Sequence, residues 1–303
     1  LMLTRYDGYW GDAPAIENLT VRFIVEDSAR MVALETGEID IGSELQAVDI
    51  ERIMAGEVEG VVGYTSSSYK VWYLGFNENF EPFQKKEVRL AIAHAVDWES
   101  ACEAAGGSAI LPADSALAKT VFGYESQGLY EYDPELSKQL LADAGYPDGF
   151  EVTYISSQVP VDVRMTEIVQ EYLAQVGIVV VESVDSATWM GAQQNGTANF
   201  TTGNMTANTG DPVHTLSNVQ KDSPYLSLRK QDAKFNELYE AGLRELDEEK
   251  RLSIYSELQK YIFEEALQVP MYEQIITYGV RDYVQGFIPD PGVQLDFRLM
   301  SIA

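Results

Sequence analysis

The chain has 303 residues, of which 46% are hydrophobic and 23% charged, a composition typical of a globular protein with a sizeable apolar core. Acidic residues outnumber basic ones by 48 to 21, and the formal net charge of −27 disfavours nucleic acid and anionic membrane surfaces as partners. The single cysteine, Cys102, excludes a disulfide within the chain. The sequence shows no apolar run of about 18 residues, so it predicts no membrane span, and no signal peptide is visible in it.

Strands and helices alternate along the first quarter of the chain. Residues 16–25 alternate between apolar and polar and are rich in β-branched side chains, which predicts a strand. Asp27 predicts the start of the next helix and Gly37 its end, and a second strand follows over 38–42. Further predicted elements are a helix over 47–54 and strands over 60–64 and 71–77.

Amphipathic helices dominate the rest of the chain. Val88, Ala91, Ile92 and Ala95 share one helical face and predict a helix over 87–97. The other predicted helices cover 98–105, 134–144 with Asp133 as its cap, about 161–175, 185–195, and two between 234 and 266. The other predicted strands cover 150–155, 178–184, 269–272, 275–280 and 284–287. This alternation predicts an α/β fold, in which ligands bind at loops beyond the carboxyl ends of the strands.

Catalytic motifs are missing from the sequence. Its two histidines, His94 and His214, do not lie beside a nucleophile-elbow pattern. Phosphate-binding, dinucleotide-binding, zinc-protease and CxxC motifs do not occur either. The sequence therefore predicts no enzyme, no cofactor and no metal site. Because acids are abundant, a carboxylate-dependent hydrolase is the enzyme class that stays open as an alternative.

Several blocks of the sequence resemble the peptide/nickel-type (family 5) extracellular solute-binding proteins. The strongest block is residues 132–150, YDPELSKQLLADAGYPDGF. The others follow in the family's order at residues 9–12, 27–40, 73–77, 82–83, 88–97, 173–178, 187–189, 269–272 and 284–287. The resemblance covers the whole chain, and it depends on the joint occurrence of blocks that are individually weak.

The resemblance implies a two-lobed fold of the periplasmic-binding-protein type (class II, cluster C). It implies a monomeric receptor, periplasmic or on the cell surface, that closes around a solute and delivers it to an ABC permease. A chemosensory or scaffold adaptor built on the same lobes is the alternative. The chain is expected to be a C-terminal portion whose first lobe is incomplete on its N-terminal side. Residues 1–77 with 270–303 are expected to form the rest of lobe one, and 78–269 lobe two.

The resemblance also suggests where the ligand binds. In peptide-binding relatives the position matching Asn208 carries an acid that pairs with the ligand's amino terminus, and Gln193 and Thr202 match positions where some relatives have an arginine. These exchanges remove charge of both signs. Two ligand hypotheses are therefore kept, a peptide or related amino compound and a saccharide or glycoside, and a nickel complex ranks third. Asp211 is the expected substitute acid. The expected ligand-binding residues are Ser68, Tyr69, Ser157, Gln158, Trp189, Met190, Gln193, Asn204, Met205, Thr206, Asn208, Asp211, Tyr272 and Gln274.

Overall fold

The computed structural model describes residues 1–181, 186–225 and 231–303. The chain divides into two compact units. Unit 1 comprises Leu1–Ser68 and Ile275–Ala303, and unit 2 comprises Tyr69–Gln274. The predicted lobe boundaries, at 77/78 and 269/270, stay a prediction.

The helices and strands alternate along the chain. Up to residue 76 they are β1 (Met2–Thr4), β2 (Asn18–Thr20), α1 (Asp27–Glu35), β3 (Ile41–Ser43), α2 (Ala47–Met54) and β4 (Val61–Phe76). Next come α3 (Glu81–Gln84), α4 (Lys86–His94), α5 (Trp98–Gly106), β5 (Ile110–Pro112), α6 (Pro134–Asp143), β6 (Phe150–Ile155), α7 (Pro160–Gln175) and β7 (Ile178–Val181). The last are α8 (Ser186–Asn195), β8 (Phe200–Thr206), α9 (Pro212–Leu216), α10 (Ala233–Arg244), α11 (Glu248–Glu264), β9 (Gln268–Arg281), β10 (Val284–Gln285) and β11 (Ser301–Ile302).

Unit 1 is built from short antiparallel strand pairs and two helices. β1 pairs with β2, β10 with β11, and β3 with the second half of β9. Gly279 on β9 allows close packing, because an added Cβ would lie 2.4 Å from the Leu34 side chain of α1. Leu34 belongs to a small core with residues from α1, α2 and the start of β4.

Unit 2 is organised around a mixed sheet with the strand order β5–β9–β4–β8–β6–β7. β4 and β8 are antiparallel, with Lys70 opposite Thr206 and Phe76 opposite Phe200, whereas β6 runs parallel to both β8 and β7. Because successive side chains of a strand point to opposite sides, this sheet has two distinct faces. We call the side that carries Trp72 and Tyr272 the first face, and the side that carries Val71 and Glu273 the second face.

Each face of this sheet packs against its own group of helices. The first face buries a core that includes Trp72 and Phe76 together with residues of α4, α5 and α7. The second face buries a separate core that includes Val71 and residues of α9, α10 and α11. Among the described residues, no helix is both long and apolar enough to cross a membrane.

The sequence predicted the helices better than the strands. α2 has its predicted bounds, and α6 begins where the side chain of Asp133 accepts a hydrogen bond from the Leu136 N–H at 2.8 Å. The strands predicted over 60–64 and 71–77 form one strand, β4, and those over 269–272 and 275–280 form one strand, β9. Pairing with neighbouring strands continues β4 and β9 through the polar residues that separate the predicted strands. Local β-propensity does not anticipate such pairing. The strand predicted over 16–25 was wrong in extent, since β2 covers only Asn18–Thr20.

Candidate functional site

The first face of unit 2 contains a buried carboxylate that the sequence did not single out. Asp162, in the first turn of α7, is only 2% exposed. Its Oδ1 accepts a hydrogen bond from the Tyr272 hydroxyl, and its Oδ2 accepts one from the Ser157 hydroxyl. Burial raises the pKa of Asp162, while the two hydroxyl donors oppose that shift. Asp162 thus connects α7, the loop after β6 and strand β9.

Aromatic and polar side chains continue this face. The rings of Trp72 and Tyr272 stack with centroids 5.0 Å apart and planes 15° apart. Lys70 Nζ lies 4.8 Å from the centroid of the Trp72 ring. On β8, Thr206 lies opposite Lys70 and Asn204 lies opposite Trp72, and both are partly exposed. The structure therefore brings the predicted residues Tyr272, Asn204 and Thr206 to the same face of the sheet.

Two predicted residues of α8 meet at one backbone carbonyl. Trp189 Nε1–H donates to the Thr202 carbonyl oxygen at 2.8 Å, and Gln193 Nε2–H donates to the same oxygen at 3.2 Å. The Thr202 hydroxyl is hydrogen-bonded to the Tyr154 hydroxyl at 2.7 Å. Neutral groups therefore hydrogen-bond to one another at Gln193 and Thr202, the two positions that match an arginine in some relatives. Met190, which follows Trp189 in α8, is 49% exposed.

The turn after β8 lies against two other segments of unit 2. The Ala207 N–H donates to the Tyr69 carbonyl oxygen at 3.0 Å, and the Phe122 N–H donates to the Gly210 carbonyl oxygen at 2.9 Å. Asn208 is exposed in this turn. The predicted residues Tyr69 and Asn208 therefore lie near each other.

Asp211 already has partners within the protein. Its side chain caps α9 by accepting the Val213 N–H at 3.0 Å, and it forms an ion pair with Arg251 at 2.9 Å. The role predicted for Asp211, as an acid for the ligand, would require it to exchange one of these contacts. Beside the ion pair is an open depression of about 410 Å³, lined by Thr209, Asp211, Val213, His214, Leu243 and Arg251.

The second face contains another buried acid that the sequence did not single out. Glu273, on β9, is 1% exposed. Its Oε2 accepts a hydrogen bond from the Lys119 N–H at 3.2 Å, whereas its Oε1 has no hydrogen-bond partner among the described residues. Burial raises the pKa of Glu273 to about 7, and the charge of Asp114 acts in the same direction. The backbone N–H and the positive charge of Lys119 oppose this rise in the pKa.

The positions of the other predicted residues follow from the strands and loops that carry them. Ser68 is buried on β4, Gln158 is exposed in the loop after β6, and Gln274 is partly exposed on β9. Met205 belongs to β8, but its side chain lies outside the described part of the chain. Within the described ranges, no group of three or more His, Cys, Asp or Glu residues could hold a metal ion. The predicted ligand-binding set as a whole stays a prediction.

Comparison with known proteins identifies the fold and a family. The family model described as "Bacterial extracellular solute-binding proteins, family 5 Middle" matches residues 1–226. The dipeptide-binding protein of Escherichia coli K12 is 25% identical over 308 residues, which cover 98% of this chain and 57% of that protein. The heme-binding protein A of Haemophilus influenzae is 24% identical and is covered over 55% of its length. The chain thus spans slightly more than half the length of these curated relatives.

Solved structures agree with this match. A periplasmic binding protein of Helicobacter pylori in complex with the peptide STSA is 25% identical, with a TM-score of 0.82, and the match covers 99% of this chain and 60% of that one. Together with the α/β architecture, this confirms the predicted periplasmic-binding-protein fold class.

Proposed function

Because the chain belongs to family 5 of the bacterial extracellular solute-binding proteins, we propose that it is part of a receptor that binds a solute outside the cytoplasm and delivers it to an ABC permease. The observation that carries this proposal is the family match over residues 1–226. The receptor acts as a monomer and releases its solute chemically unchanged. A chemosensory or scaffold adaptor would bind the solute in the same way but would pass it to no permease.

The ligand contacts come from the polar side chains that end the strands of unit 2. Gln193 and Trp189 donate to the Thr202 carbonyl oxygen in the first half of β8, and Asn204 and Thr206 lie in its second half. Such amide, hydroxyl and aromatic groups pair with hydroxyl or amide groups of a solute and stack on its flat faces. Of the three solute classes that the sequence left open, the peptide-like and the saccharide-like solutes meet this requirement.

The test is a thermal-shift and calorimetric screen of the full-length protein against di- to pentapeptides, oligosaccharides and nickel complexes. A solute that binds only the folded protein raises the melting temperature. Mass spectrometry of the recovered solute should show no chemical change, and a product would contradict a receptor role. No shift with any of the three classes would argue against the proposed function.

A matched pair of variants tests the expected contacts on α8. Gln193→Ala should weaken binding about tenfold, because it removes a buried amide beside the Thr202 carbonyl. Gln194→Ala, at the exposed neighbouring position, should leave the affinity unchanged. Equal affinities for the two variants would remove Gln193 from the ligand site.

A further inference from the structure

Large apolar side chains are exposed on the two segments of unit 1 that carry its first strand pair. Met2, on β1, is 80% exposed, and Trp10, which follows β1, is 89% exposed. Phe23 and Val25, which follow β2, are 86% and 87% exposed. Single exposed apolar residues are ordinary in proteins, but several of them on adjacent segments mark an interaction surface.

The strand pair itself has no third strand and little cover. β1 and β2 form a two-stranded sheet by themselves, with Leu3 opposite Leu19. All six residues of the two strands are exposed except Leu19, which is partly buried. A two-stranded sheet is marginally stable in water and gains stability from a further strand or a packed layer. This part of unit 1 therefore has room for both.

The chain leaves this sheet while its sequence still favours a strand. Residues 21–25, VRFIV, are β-branched or aromatic at every position but one, and the sequence predicts a strand through Val25. The Val21 N–H donates to the Leu1 carbonyl oxygen at 2.8 Å. Within the described ranges, however, the N–H groups of residues 22–25 donate no backbone hydrogen bond. Such a row of unpaired backbone groups beside a sheet is an edge to which another strand can be added.

A single arginine fixes this edge to unit 1. Nη1–H of Arg30, on α1, donates to the Ile24 carbonyl oxygen at 2.8 Å and to the Val25 carbonyl oxygen at 3.2 Å. Its Nη2–H donates to the Glu44 carbonyl oxygen at 2.8 Å. The exposure of Phe23 and Val25 therefore belongs to a segment that the protein holds in place.

The relatives contain enough further polypeptide to cover this edge. The dipeptide-binding protein of Escherichia coli matches 98% of this chain but only 57% of its own length. We propose that residues 22–25 pair with a β-strand of the polypeptide that the resemblance places before Leu1 in the full-length protein. The same polypeptide covers the side chains of Trp10, Phe23 and Val25. A second copy of this chain is the competing occupant, and the test distinguishes it.

Hydrogen exchange of the wild-type, full-length protein tests the strand pairing without any variant. A neighbouring strand bonds to every second residue of an edge, so at least two of the amides of residues 22–25 should be protected. These amides should exchange about 100-fold more slowly than the amide of Leu246, whose side chain is 97% exposed between α10 and α11.

Thiol labelling of the full-length protein tests the burial of the side chains. The native thiol gives little background, because Cys102 is buried and burial raises its pKa to about 12. Val25→Cys changes the side-chain volume little and should be labelled at least about tenfold more slowly than the matched control Leu246→Cys. Without a covering segment the two thiols should react at similar rates, because both positions are exposed in residues 1–303.

The outcomes decide both parts of the proposal. Exchange of all four amides at the rate of Leu246 would overturn the strand pairing, and equal labelling of the two cysteine variants would overturn the burial. Protection that disappears on dilution, at a concentration where sedimentation shows only monomer, would assign the edge to a second copy and overturn the proposal. Solute binding enters neither measurement, so the proposed receptor function is tested separately.

Discussion

Two buried acids lie on opposite sides of strand β9, and their surroundings differ. On the first face, Asp162 is held by the hydroxyls of Tyr272 and Ser157, one on each oxygen. On the second face, Glu273, the residue after Tyr272, has a donor on only one oxygen. Burial is almost complete in both cases. The number of donors is therefore one factor that decides how well the surroundings of a buried carboxylate stabilise its charged form.

The strongest effect on stability is expected at Asp162, whose two carboxylate oxygens both accept hydrogen bonds. Asp162→Ala should lower the free energy of unfolding by about 3 kcal/mol, because it leaves the buried hydroxyls of Tyr272 and Ser157 without their acceptor. Urea unfolding of the full-length protein measures the loss. Asp143→Ala, at an exposed position of α6, is the control and should change stability by less than about 0.5 kcal/mol. Equal effects of the two variants would mean that Asp162 does not connect the elements around it.

The second prediction concerns the pH dependence of stability caused by Glu273. The pKa of Glu273 is raised in the folded protein, from 4.5 to about 7, so between these values the folded state binds the proton more tightly than the unfolded state. Stability should therefore fall as the pH rises through this window, by roughly 3 kcal/mol in total.

Unfolding curves of the wild type and Glu273→Gln, recorded from pH 4 to pH 8, isolate this contribution, because other titrating groups cancel in the difference. The variant should gain stability relative to the wild type as the pH rises. Parallel curves would show that Glu273 is compensated by a contact other than those described.

A smaller effect should follow from removing one donor on the first face. Tyr272→Phe keeps the ring stacked on Trp72 and removes only the hydroxyl bond to Asp162, so a loss of about 1 kcal/mol is expected. Thermal unfolding measures it, with Tyr132→Phe at an exposed position as the control. A loss as large as that of Asp162→Ala would mean that this single bond carries the whole contribution of the acid.

A still smaller effect is expected from Asp114, whose charge acts on Glu273. Asp114→Asn should lower the pKa of Glu273, because the charge of Asp114 is one of the causes that raise it. The test repeats the comparison of Glu273 with Glu273→Gln in two proteins that both carry Asp114→Asn. The pH at the midpoint of their stability difference should be lower than without Asp114→Asn, by less than about one pH unit. An unchanged midpoint would leave burial alone as the cause.

Much of the fold could be predicted from local signals. α6 begins at its predicted cap, Asp133, and α2 has its predicted bounds, because caps and apolar spacing act within one or two helical turns. The strands were harder to predict. β4 and β9 continue through polar residues that the sequence assigned to breaks, since their hydrogen bonds come from strands far away in the chain.

The candidate site was only partly predictable. The sequence identified Ser157 and Tyr272 but not Asp162, which lies between them in the structure. In a chain with 48 acidic residues, a single acid gives no signal. Glu273 did carry a weak signal, because it is an acid inside a run of strand-forming residues, where a solvent-exposed charge is not expected.

Local patterns in the sequence were enough to predict the fold class, most of the helices and, through the order of the motif blocks, the family. Which acids are buried, and which donors they receive, depends on the packing of segments that are distant in the chain. Tyr272 lies 110 residues from Asp162, and Lys119 lies 154 residues from Glu273. The energy of a buried charge depends on such distant partners and on the exclusion of water, and neither is encoded in the few residues on either side of it.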